Sequence, residues 1–505
     1  MQGELTIRKT RTASGAKAVQ VVRYDKGKCI IIKHIGSAHT QDELAVLLHE
    51  AQRVREKLCI QPSLFAGQAQ ENELLHAKHL SLKTVTHCFA HKALRNCSQQ
   101  CGLGSFHPLY QDLALMRILE PASKLRTIEL LKRYFDISYA QRSVYRLLPQ
   151  LITHKHQIQK AAYQTARTHF GESFSLIFYD VTTLYFESHE PDDELKARGF
   201  SKDNKSLQPQ IVVGLLVTSQ GFPLMHELYK GNTFEGHTML SVVKHFQTLH
   251  EGVKPIIVAD SAMLSKENME LLGAEGYRYI VGARLANAPN EFITKVVNAL
   301  QQKDGQTVRL AYPKRDYSVI CSYCQRRAKK DHWEFAKQLK RAQQLIESQE
   351  PGKRAKFVKK SKNDKEAFVL NEQLKNKTEK LLGIKGYCTN IAQEELSNDK
   401  VVNHYHELWR IEQCFRMSKS DLRTRPIFHY THEAIEAHVV LCFMALMMGK
   451  FLEIKTGLSL QRIRDLLWSV HEAHIEDTLT GKHLLLQTNL ADYNNSQLAN
   501  LLGTY

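Results

Sequence analysis

The sequence lacks an apolar run long enough to cross a bilayer. The longest apolar stretch, residues 439–448, is far shorter than the roughly 20 residues that a membrane-spanning helix needs, and it is typical of a buried helix. No apolar segment follows the first few residues, so no signal peptide is predicted. These absences favour a soluble protein that works in the cytoplasm and not at a membrane.

Motifs of two common enzyme classes are also missing. The sequence has no G-x(4)-G-K-[ST] motif, which argues against chemistry driven by ATP. Its ten cysteines are scattered, and the Cys-x-x-Cys pair formed by Cys321 and Cys324 stands without a second pair or a spaced histidine pair. Four ligands for tetrahedral zinc are therefore not indicated. Scattered thiols are typical of a reducing compartment.

The charge of the chain is the first positive indication of function. Lysine and arginine number 69 and aspartate and glutamate 52, which gives a formal net charge of +17. An excess of this size favours a polyanionic partner, most commonly nucleic acid, although an unrelated basic enzyme would share it. The length of 505 residues and the hydrophobic fraction of 43% predict roughly three domains with sizeable cores.

The first third of the chain is predicted to be mostly helical after a short strand-rich start. Strands are expected at 18–24 and 29–33, followed by a helix, and residues 107–165 predict a run of helices. Pro108 can open one helix, and Ser138 with Gln141 fits a capping box. Basic residues accompany these helices: Lys124, Arg126, Lys132, Arg133, Arg142 and Arg146. They predict either a DNA-binding face or an ordinary solvated surface.

From about residue 170 the pattern changes to that of a mixed α/β fold. Apolar and β-branched segments alternate with helical periodicity in the order β-β-β-α-β-α-β. The segments are 174–186, 210–218, 223–230, 238–249, 255–259, 266–272 and 277–283. This order predicts an RNase H-like core, a mixed sheet with flanking helices, whose last helix is delayed by an insertion.

The insertion is predicted to contain strands near 308–312 and 317–323 and a helix over 333–347. A basic run follows and is interpreted either as an exposed loop or as an arm that contacts phosphate. It comprises Lys353, Arg354, Lys356, Lys359, Lys360, Lys362 and Lys365. Helical character then resumes at residue 405 and continues past 419, with a last helix over about 430–450. The predicted domains are 1–165 for binding DNA ends, 166–290 with 391–455 for the catalytic core, 291–390 for the insertion and 456–505 for a C-terminal tail.

Three acidic residues occupy informative positions in this scheme. Asp180 lies inside an apolar strand, Asp260 ends another strand, and Glu412 lies in a helical pattern. By helical spacing, Glu412 shares one face with Tyr405, Leu408, Phe415 and Lys419. A single such aspartate is more often a helix cap or a salt-bridge partner. Three carboxylates converging at one sheet edge could instead hold two Mg²⁺ ions for phosphodiester chemistry.

These residues resemble the bacterial insertion-sequence DDE transposases that carry a strand-rich insertion before the glutamate (IS-four-type). The signature of that group is Y-x(2)-R-x(3)-E-x(6)-K, and Tyr405, Glu412 and Lys419 match it at the right spacing. Leu408 stands at the arginine position, so Arg410 or Arg416 would have to supply that cation. Further similar stretches are 179–183, 199–203, 231–233, 258–260 and 425–426.

The resemblance implies a metal-dependent reaction on DNA. Asp180, Asp260 and Glu412 would hold two Mg²⁺ ions, for which Mn²⁺ can substitute. Cleavage at the ends of an insertion sequence would leave a 3′-hydroxyl that attacks target DNA. The alternatives are an RNase H-like nuclease without strand transfer, a catalytically inactive DNA-binding derivative and, disfavoured by the positive charge, a glycoside hydrolase.

The resemblance also implies partners and DNA-binding residues. Double-stranded DNA, both transposon inverted repeats and target, is the expected partner, and a homodimer is expected in the DNA complex. Tyr405 and Lys419 would contact the DNA backbone. Trp409 would either stack on an unpaired base or belong to the core. The full set of predicted DNA-binding residues is Tyr405, Trp409, Arg410, Arg416, Lys419 and Arg425.

Overall fold

The N-terminal part begins with a three-stranded antiparallel sheet covered by a helix. The structure, a computed structural model, describes residues 5–25, 27–58, 79–187, 193–200, 207–234, 236, 238–249, 254–263, 265–349, 354–361 and 367–488. The first elements are β1 (Leu5–Arg11), β2 (Lys17–Asp25), β3 (Lys28–Ala38) and α1 (Gln41–Leu58). The predicted strand-rich start followed by a helix is confirmed.

A run of helices follows, as the sequence predicts. The elements are β4 (Leu80–Thr86), α2 (Cys88–Gln100), α3 (Pro108–Leu119), α4 (Lys124–Phe135), α5 (Gln141–Leu147) and α6 (Lys155–Phe170). Pro108 is the first residue of α3, where its missing N–H has no helical partner to lose. The predicted capping box is wrong. Ala140 precedes α5 without a side-chain cap, and Gln141 is its first residue, so it cannot serve as the third residue of a capping box.

The central sheet has the strand order of an RNase H-like core. Its elements are β5 (Leu176–Tyr185), β6 (Gln210–Thr218), β7 (Pro223–Lys230), α7 (Met239–Leu249), β8 (Ile256–Ala259), α8 (Lys266–Ala274) and β9 (Arg278–Ala283). The strands lie side by side in the order β7-β6-β5-β8-β9. The first three form an antiparallel meander, while β8 and β9 run parallel to β5. The predicted order of strands and helices is confirmed.

The segment between β9 and the C-terminal helices lengthens this sheet. It contains α9 (Asn290–Leu300), β10 (Thr307–Ala311), β11 (Ser318–Tyr323), α10 (Gln325–Ser348), β12 (Val358–Lys360), β13 (Phe368–Leu370), α11 (Glu372–Lys380) and β14 (Ile384–Thr389). Strand β14 pairs with β9, and β11 and β10 follow, which makes eight strands in one sheet. The two strands predicted in this segment are confirmed, whereas α10 begins eight residues before its predicted start.

The C-terminal helices complete the core. They are α12 (Asn398–His406), α13 (Trp409–Arg416), α14 (His432–Thr456) and α15 (Leu460–Trp468), and they are followed by β15 (Glu472–Asp477) and β16 (Lys482–Gln487). Strand β15 pairs with both β16 and β4, so the end of the chain returns to the N-terminal part. Helix α14 is long and apolar enough to cross a membrane, but its most apolar window is 94% buried within the protein. The expectation of a buried helix is confirmed.

One residue of the predicted basic helical surface is buried instead. Lys124 on α4 points into the core, where its Nζ lies 2.9 Å from Nδ1 of His438 on α14. The other ring nitrogen of His438 lies 3.0 Å from the Thr424 carbonyl oxygen. Because a carbonyl can only accept, Nε2 of His438 carries the proton and Nδ1 accepts from Lys124. Burial lowers the pKa of Lys124 to about 7. The interpretation of Lys124 as a DNA-contacting residue is therefore wrong.

The buried cations Lys124 and Arg117 lie near His429, and they predict that the folding stability of the protein decreases in acid. Burial, and then the charges of Lys124 and Arg117, lower the pKa of His429 to about 4. Between pH 6.5 and 4 the unfolded chain therefore binds a proton at His429 that the folded chain does not. The free energy of unfolding should therefore decrease as the pH is lowered across this window, by up to about 1.4 kcal/mol per pH unit.

His429→Gln removes this titration, and urea unfolding at pH 6.5, 5.5 and 4.5 measures its effect. We expect the wild-type protein to lose more stability than the variant at each step toward acid. Parallel losses in the two proteins would contradict this account of His429.

Candidate active site

Two of the predicted acids lie side by side on neighbouring parallel strands. Tyr179 of β5 pairs with Ala259, the last residue of β8, so Asp180 on β5 and Asp260 directly after β8 lie at the same level of the sheet. Both side chains are partly buried. One oxygen of each carboxylate accepts a backbone N–H, that of Val181 at 2.8 Å and that of Ser261 at 2.6 Å. These hydrogen bonds fix the orientation of each carboxylate.

Tyr405 donates a second hydrogen bond to the same oxygen of Asp260. The buried phenol on α12 donates a hydrogen bond of 3.0 Å to Oδ1 of Asp260. Burial, and then the negative charge of Asp260, raise the pKa of Tyr405 far above its usual value, so the phenol stays protonated and remains a donor. Gly282 on β9 makes room for it, because a Cβ there would lie 2.5 Å from the Tyr405 hydroxyl oxygen.

Glu412 reaches this region from α13, which packs against β5 and β6. Its side chain is exposed. The helical character predicted from Tyr405 past Lys419 is confirmed over most of its length, but it is interrupted at 407–408, where the chain tightens between α12 and α13. There the amides of Arg410 and Ile411 bond to carbonyls three residues earlier. This shorter repeat, and a π-helical turn at 417–421, mean that the five residues predicted to share one helical face, Glu412 among them, do not do so.

The arrangement fits a divalent cation in part. Carboxylate oxygens are ligands suited to hard ions such as Mg²⁺, and the two strand acids are adjacent. Within the described residues, however, no three acidic, histidine or cysteine side chains lie close enough together to hold a metal ion. Glu412 and Asp260 do share an electrostatic neighbour, Lys385, whose pKa both acids raise against the lowering effect of burial. Convergence of Glu412 with Asp180 and Asp260 on one ion stays a prediction.

A comparison with protein families identifies the group to which this arrangement belongs. The family described as "Transposase DDE domain" matches residues 172–448, which is more than half of the chain and includes all three acids. The chain belongs to this family of transposases.

Two further comparisons add little to that result. A cryo-EM structure of a piggyBac transposase synaptic complex with hairpin DNA is similar over 75% of this chain and 76% of that one, with 10% identity and a TM-score of 0.37. A similarity this low adds nothing to the family match. Among curated proteins, none matches the transposase significantly.

The aromatic candidate for DNA binding lies at the surface of the transposase. Trp409, the first residue of α13, is 46% exposed, so its interpretation as a core residue is wrong. The Arg410 guanidinium lies 5.1 Å from the centre of its ring. Arg410 itself packs against the turn at Gly221 and lies 3.7 Å from a carboxylate oxygen of Glu407. Stacking of Trp409 on a base stays a prediction.

The remaining basic candidates lie after Glu412 in the chain. Arg416 is exposed at the end of α13, and Lys419 lies in the π-helical turn. Arg425 lies where the chain passes the end of β5, with its guanidinium 5.7 Å from the Tyr185 ring centre. Parts of two other predictions lie outside the described residues: Lys353, Lys362 and Lys365 of the basic run, and 201–203 of the stretch 199–203.

Sequence reasoning missed one residue of this site, Lys385. It lies near the start of β14, and its Nζ is 4.5 Å from the centre of the Tyr405 ring. Lys385 and Gly386 interrupt the apolar alternation of this strand, so β14 was not predicted. The alternating residues Tyr387 to Thr389 were the available signal, because a strand returning from an insertion must rejoin the sheet before the last core helices.

The hydrogen bond from Tyr405 predicts that this phenol supports catalysis by positioning Asp260. Tyr405→Phe keeps the ring but leaves Oδ1 of Asp260 without this donor, and a hydrogen bond to a charged group contributes about 1.5–3 kcal/mol. We expect DNA cleavage to slow by about 10-fold or more, with DNA affinity changed much less. Single-turnover cleavage and binding to the same duplex measure the two effects. Tyr24→Phe, at an exposed tyrosine of β2, is the control, and an unchanged rate for Tyr405→Phe would refute the positioning role.

Proposed function

We propose that this transposase cleaves DNA at the ends of an insertion sequence and joins the freed 3′-hydroxyl to target DNA. The observation that carries the proposal is the family match over 172–448 together with the adjacent placement of Asp180 and Asp260 within it. The net charge of +17 is consistent with a DNA partner.

Divalent metal ions are the proposed cofactor. Transposases of this family generally use them, and we assign two Mg²⁺ ions, replaceable by Mn²⁺, to Asp180, Asp260 and Glu412. Such ions supply charge stabilisation to the attacking and leaving oxygens of phosphodiester chemistry. The contribution of the chain is to orient the ligands. The amides of Val181 and Ser261 and the Tyr405 hydroxyl fix the two strand carboxylates before DNA arrives.

The DNA is proposed to run along the surface that leads away from these acids. Trp409 and Arg416 are exposed on α13, where a base and a backbone phosphate could reach them, and Arg410, Lys419 and Arg425 complete this surface. Tyr405, the sixth predicted DNA-binding residue, is buried with its hydroxyl on Asp260, so a direct contact with DNA would need that hydrogen bond to break. Residues 1–165 are proposed to bind the DNA ends, 166–290 with 391–455 to form the catalytic core, 291–390 to form the insertion and 456–505 the C-terminal tail. The working complex is proposed to be a homodimer on two DNA ends, acting in the cytoplasm.

The test uses the inverted repeats that border the gene. Purified full-length protein is incubated with duplexes carrying these repeats, a supercoiled target plasmid and Mg²⁺, and the products are resolved by electrophoresis. End cleavage together with joined products, both absent with Asp180→Ala, is the expected result.

Two other outcomes would replace the proposal with a different function. Cleavage of branched or RNA–DNA hybrid substrates without joining would identify a nuclease. Binding of the repeats with no reaction in Mg²⁺ or Mn²⁺ would identify an inactive DNA-binding derivative.

A further inference from the structure

Strand β14 places Lys385 at the edge of the sheet where the two strand acids lie. Parallel strands β8 and β9 end at this edge, at Ala259 and Ala283. Because β14 runs antiparallel to β9, with Gly386 opposite Ala283, the start of β14 lies at the same edge. Lys385 is the residue just before Gly386 and is partly buried there. The segment between the second acid and the glutamate therefore places one of its own lysines next to the proposed catalytic centre.

The ammonium of Lys385 is held by aromatic rings and not by an acid. Its Nζ lies 4.5 Å from the ring centre of Tyr405 and 5.7 Å from that of Tyr387. Among the described residues, no carboxylate lies within ion-pair distance of it, although Asp260 and Glu412 are near enough to attract it. An ammonium has three donors, and cation–π contacts satisfy none of them as a hydrogen bond. These donors remain available to an anion that enters the site.

A second cation lies beside the first. Helix α10 begins next to the turn before β14, because a Cβ on Gly383 would lie 2.7 Å from the Ala328 side chain. This packing places Arg327, on the first turn of α10, on the same side of the sheet edge as Lys385. Burial, and then the positive charge of Arg327, lower the pKa of Lys385. The Arg327 side chain is 45% exposed, and its Nε lies 3.3 Å from a carboxylate oxygen of Asp331. Two neighbouring cations repel each other, and a shared anion would relieve that repulsion.

We propose that Lys385 and Arg327 together bind one phosphate of the DNA backbone, next to the phosphate at which the strand is cut. This inference rests on the proposed function, since it takes DNA as the ligand. The phosphate site would position the DNA strand relative to the proposed catalytic acids, because Lys385 lies on β14 and β14 leads into the loop before α12, which carries Tyr405. The alternative role for Lys385 is to neutralise the charges of Asp260 and Glu412 before metal ions bind. The measurements below separate this role from binding of a phosphate.

The test measures DNA binding without divalent metal, so that neither cleavage nor the metal site contributes. A fluorescent duplex with the terminal inverted repeat is titrated with full-length protein between 50 and 200 mM salt. Each lost phosphate contact lowers the slope of log affinity against log salt by about 0.9. We expect this decrease for Lys385→Met and for Arg327→Gln, near-wild-type slopes for Lys385→Arg, and no change for Lys340→Met, at an exposed lysine of the same helix.

A second measurement locates the phosphate. Single uncharged methylphosphonates are introduced one at a time around the cleavage position. One of them should weaken binding to the wild-type protein by several-fold and have a smaller effect on Lys385→Met or Arg327→Gln, because one of the two cations that bind this phosphate is already lost. Lys385 is partly buried, so its substitution could disturb the fold, whereas Arg327→Gln changes an exposed side chain and tests the same site independently. Thermal melting followed by circular dichroism checks that both variants are folded.

The possible results distinguish this inference from the proposed function. An unchanged salt slope in both Lys385→Met and Arg327→Gln would overturn the phosphate site, even if the wild-type protein cuts and joins DNA. Altered metal affinity with an unchanged slope would assign Lys385 to charge neutralisation and would also overturn it. A reduced slope with a matching methylphosphonate position supports the site, even if no cleavage is found. Absence of DNA binding by the wild-type protein would overturn both proposals.

Discussion

Asp260→Ala is expected to abolish end cleavage while the protein still folds and binds the inverted repeats. Asp260 directly follows core strand β8, accepts hydrogen bonds from the Ser261 amide and the Tyr405 hydroxyl, and lies beside Asp180. Alanine removes a proposed metal ligand from a partly buried position without adding bulk. Loss of a metal ligand at such a site should reduce the cleavage rate by at least about 1,000-fold.

A cysteine at the same position gives a more specific result. A thiolate is a softer ligand than a carboxylate and binds Mg²⁺ poorly, whereas Mn²⁺ accepts it more readily. Asp260→Cys is therefore expected to be inactive in Mg²⁺ and to recover part of its cleavage in Mn²⁺. Recovery of this kind would link the residue directly to the metal, which the alanine variant alone does not do.

The controls separate loss of chemistry from loss of structure. Asp42→Ala changes an exposed aspartate on α1 and should leave cleavage unchanged. Binding of the inverted repeats and the thermal melting curve should be close to wild type for Asp260→Ala. Residual cleavage by Asp260→Ala above a few per cent of the wild-type rate would remove Asp260 from the proposed metal centre. The same series at Asp180 and Glu412 tests the other two ligands.

The Glu412→Ala variant is the most informative of these, because backbone hydrogen bonds orient Asp180 and Asp260 whereas the Glu412 side chain is exposed. Asp180 and Asp260 are fixed by strand register, whereas Glu412 is exposed on a short helix. If Glu412→Ala loses cleavage as completely as Asp260→Ala, Glu412 is supported as the third ligand of the metal centre. A much smaller loss would favour a supporting role for Glu412 in binding DNA.

The core strands could be predicted from the sequence because their side chains follow simple patterns. Strand β6 is buried along its whole length and is apolar apart from its two end residues, Gln210 and Thr218. The ends of these strands were marked by polar and turn residues, and Asp180 and Asp260 could be placed on them for this reason. The side-by-side placement of the two acids follows from the parallel pairing of β5 and β8, which a β-β-β-α-β order implies.

Other features depended on tertiary contacts that periodicity does not reveal. The break between α12 and α13 occurs where buried Tyr405 and Leu408 both pack inward, three residues apart, which a tighter turn accommodates. Lys124 is buried because His438, more than 300 residues later, provides an acceptor for it. Strand β14 carries a lysine and a glycine among its apolar residues, so Lys385 could not be placed without its partner strand.

Gly231→Ala is expected to cause the largest loss of stability among single-methyl additions in the core sheet. Gly231 follows β7 and packs against the pair formed by Ala197 and Gln210, which exchange two backbone hydrogen bonds. A Cβ at Gly231 would lie 1.9 Å from the Gln210 carbonyl oxygen and 2.3 Å from that of Ala197. Both atoms belong to backbone that is fixed by pairing, so neither can move without breaking hydrogen bonds.

This close approach also gives a physical reason for a glycine in the stretch 231–233, one of those that resemble other transposases. We expect Gly231→Ala to lower the free energy of unfolding by more than about 3 kcal/mol, measured by urea denaturation. Gly273→Ala is the matched control. A Cβ there meets nothing within 4 Å, and alanine within helix α8 should stabilise the protein by about 0.5–1 kcal/mol. Equal stability of the two variants would show that the backbone around Gly231 can open at little cost, and the steric argument would then be wrong.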